Sequence, residues 1–405
     1  MLYNIPILVV GFSHLRWGKK KNEACSTSIG ALPMVSIIVP IKDEERVVDR
    51  LLKALLRLDY PTEKMEILIV EDGSSDKTVE ICMEYVRRYP DQVRLLRKPT
   101  SNGKPSALNY ALKHAKGEIV AFFDADNVPE PDALKRAINY FADHSVAAVQ
   151  GRLCSINADE NMLAKFVSYE DAVWCEAYLR GKDVLDLFVH LKGSCQFIRY
   201  DILTKVGGFD EDALSEDMEL SARLAENGYR IRYAPDVCAW QEMPADLTQL
   251  FKQRVRWFRG TMETAFKYGR LMTKLNRRSL DAEVTLTGPL ILISSLVTYL
   301  TGILTFFSVF HFDVLWNVTM TITTFISTFM ILICGLALVY ISKPKKVTNL
   351  LWLPFIWFYW SLQAFIAFYV LIVMFLRRPK TWHKTEKRGT ITRPIGFKGG
   401  KVSES

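Results

Sequence analysis

The stretch that most constrains this chain is residues 117–127, GEIVAFFDADN. Ile119 to Phe123 form an unbroken apolar run, rich in β-branched and aromatic types, which suits a central parallel strand covered on both faces. The run ends in Asp124 and Asp126. Strand side chains alternate between faces, so the two carboxylates are expected to point to one side around Ala125. Just past the carboxyl end of such a strand is where open α/β sheets bind ligands. Two carboxylates held together repel unless a cation or donors share them, and a hard divalent metal bound with a phosphorylated substrate meets that need. The plainer reading of D-x-D alone is a solvated turn, since short motifs match often by chance.

The flanking sequence argues for the sheet. Val35 to Ile41 reads as a strand, followed by a helical face of Val47, Val48, Leu51, Leu52, Leu55 and Leu56. Met65 to Val70 is a second strand and Thr78 to Tyr89 a helix. Val93 to Leu96 is a third strand, and the turn Asn102-Gly103-Lys104-Pro105 opens a helix over Ser106 to Ala115. After the opening stretch, Pro131 to Phe141 is helical, with proline where its missing N–H costs nothing, and Val146 to Gln150 is another strand. This βαβαβ rhythm predicts a doubly wound parallel sheet.

Polar groups gather at the carboxyl ends of these strands. The first ends in Pro40-Ile41-Lys42-Asp43-Glu44 and the second in Glu71-Asp72-Gly73-Ser74-Ser75-Asp76. Each alone is ordinary turn chemistry. Together on one sheet edge they predict a nucleotide pocket, in which Asp72 could accept from a base N–H, Lys104 neutralise phosphate and Asp126 hold a metal. There is no G-x-x-x-x-G-K-[ST] and no G-x-G-x-x-G after a strand, which excludes a P-loop and a Rossmann dinucleotide site.

Further on, Ser215-Glu216-Asp217 opens a helix closed by Gly228. Ser215 as N-cap with acids in the first turn explains the stretch by itself. The functional alternative makes Asp217 a general base tuned by its pocket. Residues 246–275 interleave Lys252, Arg254, Arg256 and Arg259 with Leu250, Val255, Trp257, Phe258 and Met262, as in an interfacial amphipathic helix.

The charge of +8 on 405 residues fits nucleic acid or an anionic membrane surface. The apolar stretches decide for the membrane. Val284 to Phe310 and Val314 to Ile341 are each long enough to span, and the short His311-Phe312-Asp313 link makes them a hairpin. Lys343, Lys345 and Lys346 place its end in the cytoplasm. A third stretch, Leu350 to Leu376, carries Pro354 and several Trp and Tyr, and the basic run from Arg377 to Arg388 follows it. A span there would put that run outside, so a broken, interface-lying or re-entrant helix is expected. Met1 to Phe12, with Lys19 to Lys21 after it, reads as a marginal span or interfacial anchor. The seven cysteines, Cys25, Cys82, Cys154, Cys175, Cys195, Cys238 and Cys334, include no C-x-x-C pair, so neither a disulfide framework nor a structural zinc site is expected.

These motifs, in this order, resemble the membrane-bound processive family 2 glycosyltransferases: cellulose, chitin, hyaluronan and poly-N-acetylglucosamine synthases. The resemblance covers roughly Val35 to Lys387. Pro40 to Glu44 resembles P-x-x-N-E, with Asp43 in place of Asn. Asp72 matches the base-contacting aspartate, Lys104 the lysine near the donor phosphates, and Asp124 and Asp126 the D-x-D that holds the diphosphate through Mg2+ or Mn2+. Glu216 and Asp217 match the E-D pair whose aspartate is the catalytic base, with Glu216 on the acceptor side. Gln253, Arg256 and Trp257 match Q-x-x-R-W, with Gln253 and Arg256 near the diphosphate and Trp257 under the acceptor sugar. Trp382, Lys384 and Thr385 resemble the C-terminal motif that closes over the donor, which implies a cytoplasmic tail.

The resemblance implies a GT-A-type doubly wound mixed sheet followed by interface helices and a transmembrane hairpin. The division expected is an N-terminal anchor and linker at 1–33, the transferase domain at 34–245, amphipathic helices at 246–283, the hairpin at 284–342, and an interfacial helix with basic cytoplasmic tail at 343–405. It further implies a multi-pass plasma-membrane enzyme with its catalytic domain in the cytoplasm. That enzyme would move a sugar with inversion from a nucleotide sugar, UDP by resemblance, to a glycan, with membrane lipids around it and no nucleic acid. The chain has fewer spans than channel-forming members. Translocation by a monomer is therefore not expected, an oligomer stays open, and transfer to a lipid acceptor such as polyprenyl phosphate or a glycolipid is the second expectation.

Overall fold

The structure is a computed structural model, and it describes residues 3–17, 32–307, 313–341, 351, 353–380 and 384–392. The residues at 18–31, 311–312 and 342–350, which carry part of the expected linker, hairpin turn and lysine cluster, lie outside them, as do Cys25 and Trp382. The eight strands are β1 (Val35–Ile41), β2 (Met65–Glu71), β3 (Val93–Arg97), β4 (Ile119–Phe122), β5 (Val128–Pro129), β6 (Val146–Ser155), β7 (Gln196–Arg199) and β8 (Arg230–Gln241). The first helices are α1 (Asn4–Trp17), α2 (Val48–Leu55), α3 (Thr78–Arg88), α4 (Lys104–Leu112) and α5 (Ala133–Asn139). Then come α6 (Met162–Val173), α7 (Arg180–Val184), α8 (Tyr200–Lys205), α9 (Glu216–Glu226) and α10 (Leu247–Tyr268), followed by α11 (Arg277–Leu286), α12 (Gly288–Phe306), α13 (Val314–Ile341) and α14 (Leu353–Phe375).

All strands join one sheet in the order β3-β2-β1-β4-β7-β6-β8-β5. The first four run parallel, with Val35 opposite both Met65 and Ile119. β7 then runs antiparallel to β4 and to β6, while β8 pairs parallel with β6. The parallel sheet expected from the βαβαβ rhythm is therefore one half of a mixed sheet. Both faces are buried, because the apolar runs supply side chains alternately to each. Ile37, Val39, Ile67 and Ala121 pack under α2 and α5. Ile38, Leu68, Val70 and Phe122 pack under α4 and α9.

The N-terminal helix lies on protein. Ile7 and Leu8 are buried against Ala177 and Tyr178. Gly11 and Gly181 allow the approach: a β-carbon on Gly11 would come within 1.9 Å of the Ala177 carbonyl oxygen, and one on Gly181 within 2.0 Å of that of Ile7. Between α6 and α7 the chain makes one π-helical segment, Trp174–Leu179, of a kind that recurs at functional sites.

α14 is one continuous helix, with Pro354 in its first turn, where proline is tolerated. Of the broken, interface-lying and re-entrant forms expected for this stretch, α14 shows no break at Pro354. Within α14, Trp357–Phe375 is the one helix among the described residues long and apolar enough to cross a membrane, and α11 and α12, which meet at 54°, add a second only if they count as a single span. Beyond α14 the chain is clamped to α10. Arg259 donates to the carbonyls of Arg378 and Pro379 at 2.8 and 3.0 Å, and Lys380 pairs with Glu263 at 3.0 Å.

Candidate active site

The site begins where β4 stops at Phe122. Asp124 to Asn127 form a turn, closed by the Asn127 N–H donating to the Asp124 carbonyl at 3.0 Å. The strand alternation that would place both carboxylates on one face therefore does not extend to them. They meet different cations instead. Lys104, the first residue of α4, lies 2.8 Å from Asp124 and 3.2 Å from Glu216, and donates to the Gly193 carbonyl at 3.0 Å. Asp126 is buried, and its Oδ2 accepts from the Glu242 N–H at 2.9 Å and pairs with Lys387 at 2.7 Å.

Glu216 and Asp217 open α9. Ser215 stands at the N-cap position, but its hydroxyl makes no capping bond. It is pressed against α10, where a β-carbon on Gly260 would come within 2.4 Å of the Ser215 Oγ. That close approach lays Arg256, one helical turn before Gly260, against the acids of α9. Burial opposes ionisation of Glu216, and the charges of Lys104 and Arg256 more than offset it, so Glu216 titrates below the usual range. Asp217 goes the other way. Burial and the neighbouring Glu216 charge push it up to about 6, against the pull of Lys104 and Arg256. Two adjacent carboxylates are thus driven apart, which separates their protonation roles.

Gly193 closes this cluster. Its φ is +77°, and a β-carbon there would come within 3.2 Å of Asp217 Oδ2 and 3.3 Å of Lys104 Nζ. The loop is held from behind by Gln150, which accepts from the Lys192 N–H at 2.7 Å and donates to the Ser194 carbonyl at 3.0 Å. The Ser194 hydroxyl accepts from the Asp124 N–H at 2.9 Å and donates to Asn127 at 2.7 Å, tying the loop to the aspartate turn.

Just past the end of β2, Asp72 receives Lys98 at 3.3 Å, the Ser101 hydroxyl at 3.2 Å and the Gly103 N–H at 3.0 Å. Asp43 has a φ of +52°, a region that Asn and Asp tolerate better than most residues, and accepts from the Ser75 N–H at 2.7 Å. Pro40 lies in β1 opposite Val70. Glu44 pairs with Lys384 at 3.0 Å; burial nevertheless pushes its carboxyl up to about 7.

α10, α6 and α14 are tied together by one polar knot. Arg254 pairs with Glu170 at 2.5 Å, donates to the Tyr359 hydroxyl oxygen at 3.3 Å and lies 4.5 Å from the ring centre of Trp257. Tyr359 donates to Glu170 at 2.7 Å. Trp257 keeps 37% of its surface exposed. Gln253 has a buried Oε1 with no hydrogen-bond partner among the described residues.

Residues 384–392 return to the face that carries these carboxylates. Lys384 donates to the carbonyls of Lys42 and Asp43, Thr385 lies beside it, and Arg388 and Gly389 donate their N–H groups to Glu242 at 2.9 and 3.2 Å. Lys387, Glu242, Arg50, Gln150, Ser194 and Asn127 had no assigned role in the motif reading. Asn127 stood inside the opening stretch at residues 117–127, but Lys387 looked like any charge in a solvated basic tail.

No three-ligand cage of His, Cys, Asp or Glu is assembled among the described residues. The donor set still fits Mg2+ or Mn2+. Such ions bind through one or two carboxylates and take the rest of their shell from substrate phosphates and water, and the buried Asp126 carboxylate already carries a cation, the Lys387 ammonium.

The sequence profile described as "Glycosyltransferase like family 2" matches residues 33–260. The beta-monoglucosyldiacylglycerol synthase of Trichormus variabilis is 34% identical over 249 residues, 60% of this chain and 52% of that protein, so the chain spans about half the length of that relative. The poly-beta-1,6-N-acetyl-D-glucosamine synthase of Staphylococcus epidermidis is 28% identical over 380 residues, 89% of this chain and 88% of that one. Among solved structures, the mannosyltransferase PcManGT of Pyrobaculum calidifontis, in complex with GDP-Man and Mn2+, superposes with a TM-score of 0.55 at 20% identity, covering 93% of this chain and 98% of that one. That likeness confirms the GT-A-like mixed sheet. With the profile covering more than half of its residues, the chain belongs to glycosyltransferase family 2 and is a transferase.

Proposed function

We propose that this protein is an inverting glycosyltransferase that moves a sugar from a nucleotide diphosphate sugar, with UDP as the nucleotide, to the end of a growing β-linked polysaccharide at the membrane. The observation that carries the reading is Lys104. Its ammonium contacts Asp124 on the donor side and Glu216, next to Asp217, on the acceptor side. Donor phosphate and acceptor hydroxyl would therefore meet across one side chain.

In this mechanism Asp217 takes the proton from the acceptor hydroxyl, whose oxygen bonds to the anomeric carbon as the bond to the diphosphate breaks. Its raised affinity for protons suits a base working near neutrality. Lys104 and Arg256 face the charge that develops on the leaving diphosphate. A divalent ion held by Asp124 and Asp126 would supply further charge stabilisation to the departing phosphate. Asp72, with Asp43 and Glu44 beside it, frames the base and ribose end. Trp257 offers an apolar face for the terminal acceptor sugar, with Glu216 and Gln253 at its edge. Lys384, Thr385 and the neighbouring Trp382 would close over the donor.

The membrane reading rests on α14 and on the tail. Residues 384–392 contact Glu44 and Glu242, so the chain leaving α14 is on the catalytic side. With the catalytic domain in the cytoplasm, α11 to α13 would complete a multi-pass, membrane-seated protein.

A second reading is transfer of a single sugar to a lipid acceptor, favoured by the similarity to a glycolipid synthase. The test is a screen of nucleotide sugars on the purified full chain, reading diphosphate release and product size. A ladder of products supports polymerisation, one lipid-linked sugar supports the second reading, and no release from any nucleotide sugar would overturn both.

A further inference from the structure

The tail lysine Lys387 takes no part in the scheme above, yet it occupies a central position. Its ammonium lies 2.7 Å from Asp126 Oδ2 and 3.2 Å from the Glu242 carbonyl. The charges of Asp124 and Glu44 also attract it. The segment carrying it is fastened on both sides. Upstream, Lys384 holds Glu44 and the carbonyls of Lys42 and Asp43. Downstream, the Arg388 and Gly389 N–H groups bind Glu242, and the Thr392 N–H donates to the Ile156 carbonyl at 3.1 Å. Glu242 is itself paired with Arg50 at 2.9 Å. Residues 384–392 are therefore a strap laid across the carboxyl edge of the sheet.

A buried carboxylate such as Asp126 must be neutralised. Its Oδ2 already accepts from the Glu242 N–H and from Lys387, which uses both lone pairs of that oxygen. An ion on either oxygen of Asp126 would meet the ammonium as a like charge. The two cations cannot share the site at full strength.

We propose that Lys387 is a built-in surrogate for the divalent ion, which holds the strap shut on Asp126 in the donor-free enzyme and must leave that carboxylate before a metal-bound nucleotide sugar can seat. The inference rests on the reading of Asp126 as a cation ligand. The ion and the strap then compete for one carboxylate, and by linkage each weakens the other by the same factor. If the strap is shut in about nine molecules of ten, removing the ammonium tightens metal binding roughly tenfold. The arrangement keeps the catalytic carboxylates neutralised between turnovers and makes tail release part of donor entry.

The test is Mn2+ binding to the donor-free full chain, followed by electron paramagnetic resonance, with hydrogen exchange of residues 384–392 measured in parallel. Lys387→Met is expected to bind Mn2+ about tenfold more tightly than the unaltered chain, and Lys387→Arg, which keeps the charge, to bind as weakly as the unaltered chain. In the unaltered chain Mn2+ is expected to speed exchange in the strap. Unchanged or weaker Mn2+ binding in Lys387→Met, with a melting curve that shows it folded, would overturn the proposal. So would a strap that exchanges more slowly when Mn2+ is added. Asp126→Asn in the Lys387→Met background separates the two layers. If it still binds Mn2+ as tightly, the ion is not at Asp126 and the underlying reading fails. If it loses Mn2+ while Lys387→Met alone gained nothing, only the surrogate role fails.

Discussion

Gly193 stands against Asp217 so closely that a single added methyl would touch its carboxylate: the β-carbon would lie 3.2 Å from Oδ2. The same atom would lie 3.3 Å from Lys104 Nζ, and the backbone there has a φ of +77°. Gly193→Ala is therefore expected to displace both groups by a few tenths of an ångström. A misplacement of about 1 Å can cost about a hundredfold in rate, so a smaller but measurable loss is expected. Turnover by the purified variant, beside its melting curve, checks this; full activity would mean that Asp217 and Lys104 tolerate displacement.

Asp217→Asn is expected to retain donor binding and lose transfer, by roughly the factor of 10² to 10⁴ that general base catalysis supplies. The pH profile gives the finer test. The base works only when deprotonated, and Asp217 is raised to about 6 by burial and by Glu216. Transfer should therefore fall as pH drops through that value. Glu216→Gln removes the like charge, so the acid limb should move to lower pH. A limb that stays in place or moves up would contradict the coupling.

Chelation is expected to abolish transfer, and Mn2+ or Mg2+ to restore it. Asp126→Asn should raise the metal concentration needed for half-maximal rate without changing the melting curve in chelator by more than the loss of the Lys387 pair allows. Full activity in excess chelator would remove the ion from the reaction.

Lys182 and Asp281 form an ion pair at 3.0 Å with neither side chain exposed. The Tyr3 hydroxyl also donates to Asp281, at 2.9 Å, so the pair ties α7 and α11 to the residue just before α1. Removing one partner leaves a buried charge alone, which costs about 3–5 kcal/mol. Asp281→Ala should lower the denaturation midpoint accordingly, while the double variant Lys182→Met/Asp281→Leu should recover much of the loss. Equal loss in both would assign the effect to packing.

The parts legible in the sequence were those whose chemistry and secondary structure coincide. β1, β2 and β4 are predominantly apolar runs, interrupted only by Ser36 and Glu66, that end at polar residues, so both the sheet edge and the candidates on it could be named. β8 was not recognised. Its sequence, RIRYAPDVCAWQ, contains Pro235 and Asp236, and its burial follows no simple alternation because the pairing with β6 shifts register between Gly151 and Arg152. The orientation of Asp124 and Asp126 was extrapolated from a strand that ends at Phe122. Glu242 and Lys387 gave no local signal, since each acquires its role from a partner more than a hundred residues away.

The knot of Arg254, Glu170 and Tyr359 joins the apolar helix to the ring that would seat the acceptor. Tyr359 belongs to α14, and Arg254 and Trp257 to α10, so α14 cannot tilt without dragging the guanidinium beside that ring. Helices relieve a mismatch with their bilayer largely by tilting. In the proposed membrane-seated transferase, acyl-chain length would thereby be a variable of acceptor seating, to be read from transfer rates in bilayers of graded thickness.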